Sequence, residues 1–467
     1  LDLVPAREND MSAYQYLLSE SQERMLLVVK EEKLNGLIRQ FKKWGLFAKV
    51  IGEVISKKEV IIFQKNQIVA QIPTSALSDD TPINLHNVIK EPPDYLLEKW
   101  EWSEDKLPII SKNKLQSLKD KKIYSLPEII IKLLSNPSIA SKSWVYRQYD
   151  SQVQANTVFK PGEADAALIR LRGQEEKNKN NKFSGVAASV DCNSRWVLLD
   201  PFRGSIAAVA EAARNVSCIG AEPIAITNNL NFSSPETEIG YWQLSSACDG
   251  ISKACIALET PVTGGNVSLY NESKNQNNQV TPINPTPVIG MVGVINNVDK
   301  AISSGWKNIN EQIWIIGSNA SESTIGASSY LEYFHGLVTG RPPKIDLQDE
   351  KYCQSFIRDA ILKNYIASSH DVSDGGLALS LAECCILSSK GANIQLEEIN
   401  ARKDNLLFSE GGSRIIFSLK KKEESNFMNF VKTKSKDFGK EIYVKKIGSV
   451  SKENLNISVQ GHELCNL

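Results

Sequence analysis

The apolar positions of this chain form helical and alternating runs separated by polar connectors, and they predict its elements in order. Between 34 and 44 the apolar side chains recur every three or four residues, which predicts an amphipathic helix that Gly45 is placed to end. Short apolar runs at 25–29, 50–54 and 60–63 predict strands around it, so 23–75 reads strand, helix, strand, strand. From 78 to 145 the signal weakens. Pro82, Pro92, Pro93 and a Lys-rich stretch at 112–122 leave one short helix near 127–135.

Beyond 146 the pattern strengthens. Residues 187–190 and 196–199 predict strands flanking a turn at Cys192, Asn193 and Ser194. Ile206, Val209, Ala210, Ala213 and Val216 trace one helix face; Leu244, Cys248, Ile251, Cys255 and Leu258 trace a second. The unbroken apolar run 288–295 has the length and composition of a central strand. Polar insertions at 175–182 and 274–278, rich in Asn and Lys, read as solvated loops. A further αβ unit begins after 301 and ends in an alternating pattern at 442–460.

Composition then excludes whole classes of function. A chain of 467 residues suggests about three domains. Its 54 Lys and Arg balance 54 Asp and Glu, so it lacks the long-range field of a nucleic-acid binder. No stretch approaches the roughly 18 continuous apolar residues of a membrane span. Eight cysteines without a CxxC read as reduced core thiols of a cytosolic protein. Four histidines without HxxxH or HExxH spacing argue against a histidine metal centre. The first residue is Leu1 and no signal segment follows, so the chain is expected to start partway into a longer sequence.

A repeat changes the domain count. The segment 17–26 aligns with 407–416, placing Ser19, Glu20 and Arg24 opposite Ser409, Glu410 and Arg414. Ile51-Gly52 further on aligns with Ile447-Gly448, and both copies read strand, helix, strand between these anchors. The second copy carries a long folded region before its anchor that the first lacks. The expected reading is a duplicated protein with most of its first copy missing from this chain.

Four segments offer chemistry. Gly264-Gly265-Asn266-Val267-Ser268 follows the second helix. Paired glycines either let backbone approach a phosphate, with an amide oxygen helping to hold Mg²⁺, or simply make a tight turn. Asn228-Asn229-Leu230-Asn231 ends a predicted strand at 224–227, where ligands bind in α/β sheets and where Asn also forms turns. Asp371-Val372-Ser373-Asp374-Gly375-Gly376 opens a helix, its Asp and Ser suited to capping. Ser19-Glu20-Ser21-Gln22 sets a carboxylate and an amide beside an apolar run, suited to a small polar ligand.

These segments together closely resemble the phosphoribosylformylglycinamidine synthase family, in its synthetase subunits of the small, multi-component type. The resemblance rests on Ser19-Glu20-Ser21-Gln22-Glu23-Arg24-Met25-Leu26, Asp200-Pro201-Phe202 with Glu211-Ala212-Ala213-Arg214-Asn215, and Gly265-Asn266-Val267-Ser268-Leu269-Tyr270-Asn271-Glu272. His370-Asp371-Val372-Ser373-Asp374-Gly375-Gly376 is shared across the parent superfamily of ATP-dependent synthetases, which includes aminoimidazole ribonucleotide synthetase. The resemblance implies an α+β fold, an internally duplicated A–B pseudo-dimer in the order A1–B1–A2–B2 with the first copy truncated. Residues 1–78 would be the remainder of B1, 79–145 a connector, 146–300 A2 and 301–467 B2.

The implied reaction joins formylglycinamide ribonucleotide, ATP and glutamine-derived ammonia, giving formylglycinamidine ribonucleotide, ADP and phosphate through an iminophosphate. By motif, Glu20, Ser21, Gln22 and Ser268 would bind the ribonucleotide, Asn228 and Gly265 would contact ATP, and Asn266 would ligate Mg²⁺. Asn228 stands where many relatives carry Asp, and Ser233-Ser234 where they usually carry Gly. The family's catalytic histidine belongs to A1, which nothing here matches, so no catalytic residue is assigned and the chain alone is expected to be inactive. A separate glutaminase subunit and a small bridging subunit are the implied partners. Two alternatives stay open: another synthetase of the superfamily, or a half whose nucleotide pocket serves assembly only.

Overall fold

The structure is a computed structural model, and it describes all residues except 7, 9, 21–23, 84, 86–88, 90, 173–182, 318–324 and 398–401. The chain divides into two compact units, Leu1–Leu85 and His86–Leu467.

In the first unit, α1 (Ala13–Leu18) starts at a capping box in which the Ser12 and Gln15 side chains answer each other's backbone N–H. It stops at Ser19, whose carbonyl accepts from Arg24 Nη2 at 2.9 Å. Helix α2 (Glu31–Lys43) carries Glu31 and Glu32 in its first turn and Lys42 and Lys43 in its last, charges that match its dipole. It ends at Gly45, at φ +70°, as the sequence predicts. Strands β1 (Glu59–Gln64) and β2 (Gln67–Pro73) form a hairpin whose two turn residues, Lys65 and Asn66, both adopt positive φ.

Two strand expectations fail in this unit. Residues 25–29 and 50–54 take no regular structure, and Met25, Leu26 and Val28 are more than four-fifths exposed. A strand is stable only when paired, and the described residues of this unit supply these runs with no neighbour.

The second unit opens with α3 (Asp94–Trp100), a short hairpin of β3 (Lys114–Gln116) and β4 (Ile123–Ser125), and α4 (Leu126–Leu134). The predicted helix near 127–135 is α4; a Ser125–Glu128 capping box starts it, and it buries Leu126, Ile129, Ile130 and Leu133. After the single turn α5 (Ser143–Tyr146) come β5 (Thr157–Phe159), β6 (Ala167–Arg170), β7 (Gly185–Asp191), α6 (Ser194–Leu199), α7 (Pro201–Cys218), β8 (Glu222–Asn231), α8 (Glu238–Leu258) and β9 (Val262–Ser268). A small hairpin, β10 (Glu272–Lys274) with β11 (Val280–Pro282), then leads to β12 (Thr286–Ile295).

The first sheet runs β5-β6-β7-β12-β8-β9, with the apolar run 288–295 central as expected. One face packs Ala187, Ile226, Ile289 and Met291 against Val209, Ala213 and Ile251 of the helices. The other face presents Ile169, Val190, Val288, Val292 and Val294, of which Val190 is 72% exposed.

Two details differ from expectation. Residues 196–199 are helical, because Asn193 accepts from Trp196 N and Asp200 from Arg203 N, so two caps bracket one turn. On α8 the buried ridge is Trp242, Ala247, Ile251, Ala254 and Leu258, leaving Cys248 exposed. Gly250 lets α8 lie close to α7, since a Cβ there would sit 2.5 Å from Phe202 O.

The rest of the unit comprises β13 (Gln312–Ile316), α9 (Leu347–Leu362), β14 (Ile366–Asp371), α10 (Gly376–Ser388), β15 (Gly391–Leu396), α11 (Lys403–Phe408), β16 (Ile415–Leu419), α12 (Glu424–Phe438), β17 (Val444–Ser451), β18 (Leu455–Val459) and β19 (His462–Asn466). Its sheet runs β14-β16-β13-β17-β15-β18-β19. Helices α9 and α12 cover one face with Phe356, Phe427 and Phe430, and α4, α10 and α11 cover the other.

The duplication is visible in local geometry. Helix α11 ends at Ser409 as α1 ends at Ser19, and Arg414 Nη2 donates to Ser409 O at 2.7 Å as Arg24 does to Ser19 O. Helix α12 closes on Gly439 at φ +64°, the counterpart of Gly45. Strand β16 aligns with 25–29, and here it is buried between β13 and β14.

Candidate functional site

The β8–α8–β9 crossover makes β8 and β9 parallel neighbours at one edge of the first sheet. Their register sets Asn228 opposite Gly265, Asn229 opposite Asn266, and Asn231 opposite Ser268. Paired residues share a face, so Asn228 and Gly265 lie on the helix side and Asn266 and Ser268 on the other. The tight-turn reading of the glycines is corrected: Gly264 and Gly265 are extended within β9, and neither has positive φ. What requires glycine is proximity, since a Cβ at 265 would sit 1.9 Å from Asn228 Oδ1. Asn228 also lines a cleft of about 480 Å³ with Ile251, Cys255, Ile256, Pro261 and Val262.

Gly265→Ala should therefore cost about 1–3 kcal/mol of stability through overpacking. Denaturant unfolding measures the loss, and adding Asn228→Ala should recover part of it, because the Asn228 carbonyl oxygen stays 2.9 Å from such a Cβ. An unchanged midpoint in Gly265→Ala would contradict this close approach.

Glu20 is exposed in the first unit, while Ser21 and Gln22 lie outside the described residues. The structure thus brings together Asn228 with Gly265 and places Asn266 and Ser268 behind them.

A second group of residues went unassigned in the sequence. Buried Arg214 donates from Nε to Asp371 Oδ1 at 2.5 Å and from Nη1 to Glu350 Oε2 at 2.8 Å. Burial disfavours its charge, but Asp371 and Glu350 hold its pKa well above the ordinary value. Beside it, burial pushes Asp191 up to about 7, helped by the charge of Asp371 and opposed by the Asn215 amide at 3.0 Å. Burial, then Asp191 and Asp371, raise Glu211 well above the carboxylate range. Asp371 Oδ2 is buried without a hydrogen-bond partner. Carboxylates crowded in this way can hold a proton near neutral pH.

Neighbouring His370 bonds Asp165 through Nδ1 at 2.7 Å and Glu383 through Nε2 at 3.1 Å. Burial opposes its charge, yet Asp165 and Glu383 raise its pKa well above the ordinary value, favouring the protonated ring between two carboxylates. The capping role expected for Asp371 and Ser373 is not what forms. Helix α10 starts behind Gly375 with no side-chain cap, and Asp371 is committed to Arg214.

Glu410, the counterpart of Glu20, accepts from Ser329 N at 2.8 Å and Gly375 N at 2.6 Å, with Arg195 Nη2 at 3.4 Å. Burial lifts its pKa to about 7 despite Arg195. Asp374 Oδ1 accepts from Ser329 Oγ and Asn193 Nδ2 in the same cluster.

Among the described residues no group of three or more His, Cys, Asp or Glu side chains is arranged to hold a metal. Asn266 offers one neutral oxygen, which fits Mg²⁺ only as a supplementary ligand to an ion already held by phosphate. No helix among the described residues is long and apolar enough to cross a membrane.

Comparison with known proteins identifies the family and the fold. The family model described as AIR synthase related protein, N-terminal domain, matches residues 163–295, and that described as AIR synthase related protein, C-terminal domain, matches 1–65 and 310–457. The chain is 85% identical over 467 residues to phosphoribosylformylglycinamidine synthase subunit PurL of Prochlorococcus marinus subsp. pastoris (strain CCMP1986 / NIES-2087 / MED4), covering 100% of this chain and 60% of that protein. It is 52% identical over 461 residues to the PurL of Prochlorococcus marinus strain NATL1A, covering 97% of this chain and 57% of that protein. The chain thus spans about 60% of the length of such curated relatives.

In structure it is similar to T. maritima PurL complexed with ATP, with a TM-score of 0.58 at 23% identity, over 97% of this chain and 58% of that one. The T. maritima PurL complexed with FGAR gives 0.57 at 22% identity, over 97% and 57%. The shared fold is α+β and duplicated. With an N-terminal-domain match in its middle and C-terminal-domain matches on both copies of its repeat, the chain belongs to the AIR synthase related protein family.

Proposed function

We propose that this chain forms part of a phosphoribosylformylglycinamidine synthase acting in purine biosynthesis in the cytoplasm. The observation that carries this reading is 85% identity, extending over all 467 residues, to a subunit of that name. Residues 1–78 then belong to B1, 79–145 to a connector, 146–300 to A2 and 301–467 to B2. The open apolar face of the first sheet would seat the A1 domain that the pseudo-dimer requires.

The chemistry is activation of an amide. Its oxygen is a poor leaving group until phosphorylated by ATP, after which ammonia displaces phosphate from the iminophosphate. Glu20, Ser21, Gln22 and Ser268 would bind the ribonucleotide. Asn228 and Gly265 would contact ATP where two strands leave room for no side chain but the Asn228 amide. On the opposite face of β9, Asn266 would be one ligand of a Mg²⁺ that offsets charge on the transferred group. A glutaminase subunit would supply ammonia and a small bridging subunit would complete the assembly.

Calorimetry with ADP and formylglycinamide ribonucleotide tests the reading, and binding of neither would overturn it. The family's catalytic histidine lies in A1, whereas the N-terminal-domain match occurs once here, at 163–295. Supplied with ammonium, ATP and formylglycinamide ribonucleotide, this polypeptide alone should therefore show only background amidine formation. Turnover well above background would refute the assignment of catalysis to A1.

A further inference from the structure

A second cleft, of about 340 Å³, lies where α3 and the residues after it meet the loop 340–344 and the start of α7. Trp100, Trp102, Glu104, Arg203, Arg341 and Lys344 line it, and it shares no residue with the Asn228 cleft. Arg341 lies 3.9 Å over the Trp100 ring and donates from Nε to Asp200 Oδ2 at 2.8 Å. Trp100 is itself fixed by Nε1 donating to Leu199 O at 2.7 Å. Arg203 donates from Nη1 to Pro342 O at 3.0 Å and reaches the same Asp200 Oδ2 at 3.6 Å.

One carboxylate oxygen is therefore shared by two guanidiniums. Burial first, and then the charge of Arg341, hold Arg203 below its ordinary pKa. Among the described residues the terminal amino groups of Arg341, Arg203 Nη2 and exposed Lys344 make no hydrogen bond or ion pair. On the opposite wall Glu104 accepts from Asn405 Nδ2 at 3.1 Å. Burial raises its pKa.

We propose that this cleft binds a small phosphate monoester, its phosphate among Arg203, Arg341 and Lys344 and its hydroxyl-bearing body toward Glu104. Guanidinium forks held by stacking and by a backbone carbonyl are preorganised for phosphate oxygens, and an anion there converts the repulsion between the arginines into pairing. Glu104 disfavours a second anionic end and accepts hydroxyl donors. The volume suits a sugar phosphate.

Calorimetry at low ionic strength on the whole 467-residue chain, with inorganic phosphate and glucose 6-phosphate, tests this. Both should bind saturably, the sugar phosphate more tightly. Lys344→Glu should weaken both about tenfold, the effect of one charge-assisted hydrogen bond, without moving the melting temperature. Glu104→Gln should narrow the preference for the sugar phosphate. No saturable binding, binding unchanged by Lys344→Glu, or equal affinity for the two probes would each overturn the proposal. None of these results depends on whether ATP or the ribonucleotide binds elsewhere on the chain.

Discussion

Replacing Arg214 with Met should destabilise the second unit by about 3–5 kcal/mol, the cost of leaving buried charges without their partner. Arg214 is 3% exposed in its side chain, and the carboxylates of Asp371 and Glu350 that it binds are 2% and 0% exposed. The substitution keeps most of the volume and removes only the charge, so the loss reports the ion network and not a cavity. Three segments distant in sequence, on α7, α9 and β14, meet through this one guanidinium. Urea unfolding measures the effect. Adding Asp371→Asn and Glu350→Gln to Arg214→Met should restore part of it, because neutral amides need less compensation. A loss under about 1 kcal/mol would mean that the carboxylates find other partners or bind protons.

Stability should also fall as pH rises from about 6.5 to 8, above the range in which His335, lowered by burial to about 4, acts in the opposite sense. Asp191 has a folded pKa of about 7, above its unfolded value, so between the two values the folded state holds a proton the unfolded state has lost. Its contribution is complete below the unfolded pKa and disappears as pH climbs through 7. Glu410, also at about 7, acts in the same sense. His370, raised as well, extends the loss upward from its unfolded value of 6.5. Three pKa units correspond to about 4 kcal/mol for Asp191 as an upper figure. Asp191→Asn should flatten the profile and make the protein more stable than the parent at pH 8. A urea midpoint that climbs between pH 6.5 and pH 8 would contradict the arrangement.

Much of the fold was legible because its signals are local. The face traced by Ile206, Val209, Ala213 and Val216 is α7, and the run 288–295 is β12, since each element buries one continuous surface. Runs 25–29 and 196–199 misled for different reasons. The first needs strand partners that no sequence pattern in the run can supply. The second is too short for periodicity to separate strand from helix, although its caps Asn193 and Asp200 were there to be read. At Gly264 and Gly265 composition suggested a turn, because the reason for glycine lies on another strand, in Asn228. The pairings of the buried ion network were not legible. Arg214 and Asp371 stand in motifs, but nothing in the sequence joins them, and Asp165 and Glu350 look like ordinary surface charge until folding removes their water.

The arginine clamp on the repeated loop bears on how the two copies came to differ. Donor and acceptor stand five residues apart in both, Arg24 to Ser19 and Arg414 to Ser409, so the contact depends on nothing outside its own short segment. Duplication passes on such a contact intact while the glutamate beside it is free to diverge. In one copy Glu410 anchors backbone amides in the interior; in the other Glu20 is solvent-exposed. A self-contained contact is the kind of part that inheritance can copy and selection can then retask.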